Sequence, residues 1–515
     1  MEKYILAHDL GTTGDKATLV DIDGNMKATA FQGYTTYYPN NGWAEQDAWD
    51  YWKAFCRANK RLFEISDVTP DEVATVSFSG QMMAALPVDS EGNPLRRSII
   101  WADLRSESQA ERVLKKISSD RAYKITGHRL SASYSASKIL WIKENEPGIY
   151  KRTYKFIHAK DFIVLRLTGK FVTDYSDASG MNLLDINKME WSEEMLKATG
   201  IDREKLPDIT ESVTVVGVVK KEVSRESGLL SGTPVVIGGG DGACATAGAG
   251  VVEKGQSYIY LGTSTWMGII DTKPILDPKK RTFTFCHFKK NLYFAAGTMQ
   301  TGGGSYGWFK NVFCDYESEK AKSSNQDVYE ILNSKASKIK PGAEGLIFLP
   351  YLMGERSPLW DPKARGAFIG LTLRHSKEHM IRAVLEGVAF NMKIIVEAFE
   401  EQGAETDLIR MIGGGAKSRL WRSIFSDIIG INVAKLNLIE EATSCGAAIA
   451  GGVGVGIFNS IEDAAKIVKI TDIVKPDSKN RELYEKYYEL FKESYNRLKD
   501  IFYGIAGLEQ LERSI

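Results

Sequence analysis

Residues 4–22, YILAHDLGTTGDKATLVDI, place apolar runs on both sides of a glycine-threonine turn. The pattern reads as a strand, a tight turn and a second strand. A further glycine turn, DGN at 23–25, leads into a third strand, MKATAFQ (26–32), so the chain opens as a β-meander. Working outward, DAWDYWKAFCRANKRLF (47–63) has helical periodicity and VATVSFSG (73–80) reads as a strand. Such alternation predicts an α/β architecture with sheets covered by helices.

The opening recurs in SYIYLGTSTWMGIID (257–271), again strand, Gly-Thr-Ser turn, strand. Aligning the turns sets Gly262, Thr263 and Ser264 opposite Gly11, Thr12 and Thr13, with Tyr260 where Asp9 stands. This predicts two similar lobes, and 515 residues are more than one ordinary core holds. Between the turns, TPVVIGGGDGACATAGAG (233–250) reads as a buried strand, three glycines, an acid and a small-residue helix. The lobe boundary is expected there, giving domains 1–247 and 248–515. The stretch RELYEKYYELFKESYNRLKDIF (481–502) reads as a helix docking on the second lobe.

Lys plus Arg (66) equals Asp plus Glu (66), so the net charge gives no argument for a nucleic-acid or membrane-surface partner. Cysteines 56, 244, 286, 314 and 445 are scattered without C-x-x-C spacing, and a reduced, cytoplasmic setting is expected. MEKYILAHDLG lacks a leader pattern, and GAAIAGGVGVGIF (446–458) is too short and glycine-rich to span a bilayer. A soluble protein is the expectation; its oligomeric state is open, a homodimer being one alternative.

A glycine turn at a hairpin tip bares backbone N–H groups, and Thr or Ser hydroxyls add donors, so phosphate oxygens can be cradled at residues 11–13 and 262–264. Either turn alone is equally an ordinary hairpin; two of them, one behind Asp9, favour nucleotide binding. GGGAKS (413–418) lacks the G-x-x-x-x-G-K-[ST] spacing of a P-loop and reads as a strand-to-helix turn suited to a base or ribose. TGGGSYGWF (301–309) offers another backbone-lined wall, with tight packing as its plain alternative. Asp241 follows a strand at the start of a helix, where the dipole is expected to favour its ionised form, and a carboxylate there could accept a hydroxyl proton. The alternative is a simple capping Asp. Gln81, Met82 and Met83, with Trp101, Asp103 and Arg105, stand at the ends of apolar runs and could surround a polyol. His375 and His379 share a helix face without the H-E-x-x-H pattern, and a solvated face is expected rather than zinc.

These segments together resemble the FGGY carbohydrate kinases, relatives of the actin and Hsp70 ATPase fold, over nearly the whole chain. DLGTTGDK resembles the family's first phosphate hairpin; WADLRS, AKDFIVLRLTG and TDYSDASGMNLLD resemble its sugar lobe; GGGDGA resembles its catalytic-base turn. FLPYLMGERSPLWDPKARGAFIGLT, RAVLEGVAFN and GGGAKSRLWRSIFSDIIG resemble the second-lobe motifs, in the same order. The resemblance implies two ribonuclease H-like lobes with a catalytic cleft, sugar on the first and ATP mainly on the second. It implies Asp241 as the base and Asp9 as organiser of Mg²⁺ through water. Gln81, Met82, Met83, Trp101, Asp103, Arg105 and Asp241 would then meet the sugar. Gly11, Thr12, Thr13, Lys16, Gly262, Thr263, Ser264, Gly303, Gly304, Gly414, Gly415, Ala416 and Arg419 would line the nucleotide site.

Within the family, GQM, W-x-D-x-R and TDYSDASG are most similar to the xylulokinase branch, which implies transfer from ATP to a primary hydroxyl of a ketose, D-xylulose first. Met83 stands where that branch usually has His, so a polar contact is lost; other ketoses, L-sugars, gluconate, erythritol and glycerol stay open. Gly242 replaces a common Asn. A nucleotide-driven switch is the rival of another class, since the fold alone does not fix function.

Overall fold

The computed structural model describes residues 3–512. The chain groups into two compact units: Met1–Lys254 with Ile270–Ala295 and Glu441–Val468, and Gly255–Ile269 with Ala296–Glu440 and Lys469–Ile515. The grouping is thus discontinuous, whereas the sequence suggested one cut after residue 247.

In the first unit, β1 (Tyr4–Leu10), β2 (Gly14–Asp21), β3 (Met26–Gly33), β4 (Val73–Gly80), β5 (Val215–Val218) and β6 (Pro234–Val236) form a sheet ordered β5-β6-β4-β1-β2-β3. The opening meander is antiparallel, whereas β4 joins β1 in parallel and β6 joins β4 in parallel. In β1 every residue but Asp9 is buried, which explains its run of apolar side chains. Helix α1 (Ala48–Ile65) is capped by the Asp47 side chain, which accepts the Trp49 N–H and stabilises the helix by about 1 kcal/mol. Its Tyr51, Trp52, Phe55 and Leu62 enter the core that the sheet's apolar face supplies.

After β6 the chain pairs Gly239–Gly240 alongside Ser79–Gly80 and turns into helix α2 (Asp241–Gly248). Helix Ala442–Gly454 lies against α2 and against β1 and β4. A Cβ on Gly248 would stand 1.8 Å from the Ala442 carbonyl oxygen, and one on Gly446 2.0 Å from that of Cys244. The small-residue run at 446–458 is therefore the surface of a close helix crossing. Among the described residues no helix is long and apolar enough to cross a membrane.

The second unit repeats the plan. β7 (Ser257–Leu261), β8 (Thr265–Asp271), β9 (Tyr293–Met299), β10 (Leu408–Ile412), β11 (Asn432–Leu436) and β12 (Ile470–Val474) lie side by side in the order β9-β8-β7-β10-β11-β12. β7 and β8 are antiparallel, and β10 and β11 follow in parallel. The recurrence expected from the two glycine turns is thus present, each turn joining the first two strands of its sheet. Helix α3 (Gly303–Phe313) precedes α4 (Lys377–Glu400) and α5 (Arg419–Ile429). The last helix, α6 (Ser478–Glu512), docks as expected: its Tyr484 accepts from Arg382, and Tyr495 donates to Asp361 at 2.7 Å.

Candidate active site

Asp9 is the next-to-last residue of β1, and parallel pairing with β4 puts Ser79 beside it. The Ser79 hydroxyl donates to one oxygen of Asp9 at 2.8 Å, and Thr443 donates to the other at 2.6 Å. Each oxygen keeps a second lone pair, and the residue is half-buried. Lys16 faces Asp9 across the β1–β2 ladder. The turn between the two strands is braced by side chains: Tyr34 donates to the Gly11 carbonyl, Gln46 to the Thr12 carbonyl at 2.7 Å, and the Trp101 indole to the Thr12 hydroxyl at 2.9 Å. Thr13 is left exposed at the tip.

Asp241 is the first residue of α2 and reaches solvent, while its Oδ1 accepts the Gly242 N–H at 2.7 Å. Its carboxyl is pushed up to about 7, by burial amid dense protein first and then by the charges of Asp9 and Asp177. This corrects the expectation that the helix dipole would favour the ionised form: one helix end contributes less than withheld solvation plus two like charges.

The residues expected around a polyol divide. Trp101 is exposed and Met83 half-buried, the latter with φ of 64°, a left-handed conformation that costs a non-glycine residue energy. The fully buried Lys138 ammonium donates to the Met83 carbonyl at 3.1 Å and helps hold that turn. Gln81 is buried instead; its amide donates to Gln46 at 2.7 Å, so it supports the hairpin. Met82 is also buried, lying where a Cβ on Gly240 would be 2.7 Å from its sulfur. Asp103 is fully buried, accepting from the Ala44 N–H at 2.6 Å and from the Arg105 guanidinium. Arg105 also pairs with Glu45 at 2.8 Å and lies 3.7 Å from the Trp43 ring centroid. Asp103 and Arg105 pair with each other, and Arg105 with Glu45, inside the protein, whereas the sequence reading set them around a polyol. A guanidinium matches a carboxylate so well that the two find each other when both are sheltered.

In the second unit the three glycine stretches meet at the end of β7. Gly303 donates its N–H to the Gly262 carbonyl at 2.8 Å, and Gly304 donates to that of Thr263 at 2.9 Å. Gly303 and Gly304 were expected to line the nucleotide site; their N–H groups clamp the hairpin. A Cβ on Gly303 would lie 2.4 Å from the Gly262 oxygen, which is why glycine is needed there. Gly413 has φ of 83°, and a Cβ on Gly415 would strike Leu261 at 2.4 Å, while Gly414 has open space around it. Ala416 is buried, and Arg419 is exposed and paired with Asp472 at 2.7 Å.

Sequence reading missed Ser79, Thr443 and Gln46. Ser79 was within reach, because parallel register places it beside Asp9. Thr443 carries no local signal, being 434 positions from its partner.

The chain is 33% identical over 500 residues to a xylulose kinase of Bacillus subtilis (97% of this chain, 98% of that one), and 32% identical over 513 residues to a gluconokinase of Bacillus licheniformis (99% of each). The ligand-bound xylulose kinase of Lactobacillus acidophilus superposes with a TM-score of 0.89 at 28% identity, covering 98% of this chain and 100% of that one. Residues 4–248 match the N-terminal domain, and residues 257–455 the C-terminal domain, that define one family. The two matches together cover most of the sequence: the chain belongs to the FGGY family of carbohydrate kinases.

Proposed function

We propose that this kinase transfers the γ-phosphoryl group of ATP to a primary hydroxyl of D-xylulose. The observation that carries the reading is Asp241, a solvent-reaching carboxylate at a helix start whose Oδ1 accepts the Gly242 N–H; the protein crowded around it and the charges of Asp9 and Asp177 raise its carboxyl, which suits a proton acceptor. In this reading Asp241 takes the hydroxyl proton as the oxygen bonds to the γ-phosphorus and the bond to ADP breaks. Trp101 and Met83 contact the sugar. Gln81, Met82, Asp103 and Arg105 hold those contacts from behind.

The nucleotide reading rests on the phosphate hairpins. Gly11, Thr12, Thr13 and Lys16 on the first unit, and Gly262, Thr263 and Ser264 on the second, offer N–H, hydroxyl and ammonium donors to phosphate. Gly303 and Gly304 act by fixing the second hairpin. Gly414, Gly415, Ala416 and Arg419 line the adenosine side. The division of labour is therefore sugar on 1–247 and nucleotide mainly on 248–515. Mg²⁺ fits the Asp9 carboxylate, whose oxygens are oriented by Ser79 and Thr443 and retain free lone pairs. Bound there through water, it would neutralise charge on the phosphate oxygens. A reduced cytoplasm suits the five free thiols.

Gluconate is the second reading, because the gluconokinase relative matches as fully as the xylulose kinase one. Coupled ADP production across D-xylulose, L-xylulose, D- and L-ribulose, L-fuculose, gluconate, glycerol and erythritol decides between them. D-xylulose is expected to give the highest kcat/KM. ADP release that no acceptor stimulates would overturn the kinase reading.

A further inference from the structure

The sequence TDYSDASG folds into a short helix, Tyr175–Ser179, capped by Asp174, whose side chain accepts the Ser176 N–H at 2.8 Å. Asp174 also accepts from the hydroxyls of Ser176 and, at 2.9 Å, Ser212. Its other oxygen lies 2.9 Å from the Lys160 ammonium, which is 2.7 Å from Asp161 and 3.0 Å from Asp177. All four charged side chains are fully buried. Burial opposes the charge of Lys160, but the three carboxylates outweigh it and keep the ammonium protonated. His158, Asp161 and Asp177 could by spacing hold a metal, but the lysine already supplies that cluster's cation.

With its hydrogen committed to Asp174, the Ser176 oxygen presents lone pairs, and it accepts the Gly240 N–H at 2.9 Å. Gly240 immediately precedes Asp241. Its other surroundings are equally tight: a Cβ on Gly239 would lie 2.8 Å from the Phe288 ring, and one on Gly240 2.7 Å from Met82. The Gly239–Gly240 segment that leads into Asp241 is thus gripped by Met82 and Phe288 through contact and by Ser176 through a directional bond. Contact alone resists translation; the bond also fixes the plane of the Gly239–Gly240 peptide, one peptide unit before the one that carries Asp241.

We infer that Ser176 is a positioning residue for phosphoryl transfer, holding the Gly240 peptide so that Asp241 is aimed at the acceptor hydroxyl, with the buried Lys160 cluster fixing the Ser176 hydroxyl in turn. The inference rests on Asp241 acting as the base. A misaimed general base slows the chemical step while leaving ground-state binding intact, because proton acceptance depends on reach and angle at the reacting atom.

The test compares purified full-length variants in the coupled ADP assay with the best acceptor of the sugar panel, alongside thermal melts. Ser176→Ala is expected to lower kcat about 10- to 50-fold with KM for both substrates within about threefold. Ser212→Ala removes a comparable bond to Asp174 without touching Gly240, and is expected to keep kcat within about twofold. Asp174→Asn keeps Ser176 in place but removes the charge that orients its hydroxyl; it should also lower kcat at near-constant KM. Wild-type kcat in Ser176→Ala, or an equal loss in Ser212→Ala, overturns the positioning role. If Ser176→Ala does not fold, wild-type kcat in Asp174→Asn overturns it. Asp241→Asn run in parallel separates the failures: wild-type turnover there removes the base reading itself, whereas an inactive Asp241→Asn beside a fully active Ser176→Ala removes only the positioning role.

Discussion

Thr443 donates its hydroxyl to Asp9 at 2.6 Å, joining residues 434 positions apart. Together with Ser79 it fixes the rotation of the Asp9 carboxylate. Thr443→Val keeps the shape but removes one donor, leaving Asp9 held by Ser79 alone. We expect kcat/KM to fall about 5- to 30-fold, with a higher Mg²⁺ requirement in a metal titration of the coupled assay.

Asp241→Asn keeps the volume of the side chain and removes its basicity. Turnover should fall at least about 100-fold while KM for the acceptor stays within about threefold, as measured by initial rates. In the wild type, a base whose carboxyl sits near 7 is half-protonated at that pH. The expected kcat/KM profile therefore rises through about pH 7 and levels off above it. A flat profile from pH 5.5 to 8.5 would contradict that role.

Gly303→Ala would push a methyl carbon to within 2.4 Å of the Gly262 oxygen and strain the second hairpin. The expected result is a melting temperature lower by roughly 3–10 °C and KM for ATP raised more than about fivefold, with acceptor KM little changed.

Glu355 accepts N–H bonds from Gln300 at 2.6 Å and Arg356 at 2.8 Å, and from the Asn391 amide at 3.0 Å. Burial nonetheless pushes its carboxyl up to about 8 from an ordinary value of 4.5. Between those values the folded chain keeps a proton that the unfolded chain has lost, so this group's contribution to stability falls as pH rises. Glu355→Gln removes the titration. The melting-temperature difference, wild type minus variant, should narrow by about 2 °C or more between pH 5 and pH 8.5.

The doubled architecture was legible because both meanders carry their turns in the sequence: Gly11–Thr13 and Gly262–Ser264 are short-range features with short-range causes. Asp9 and Asp241 were legible for the same reason, each following an apolar strand. The partners of Asp9 were harder, since Thr443 arrives from a distant segment by packing of glycine-rich helices. The burial of Asp103 and Arg105 was not legible either. A W-x-D-x-R motif fixes which groups are near one another, but whether they face water depends on Glu45 and Trp43, which come from earlier in the chain. Nor does a helix-start position reveal the raised carboxyl of Asp241, because its causes lie in tertiary neighbours.

The helix Ala442–Gly454 also bears on how the protein is made. A nascent chain that has emerged only to residue 254 lacks the element that covers α2, β1 and β4, and lacks the hydroxyl that steadies Asp9. All the residues of its first unit are present only once translation has passed residue 468. Completion of that unit is consequently expected late in synthesis, and fragments ending near residue 254 are expected to be candidates for chaperone capture rather than for independent folding.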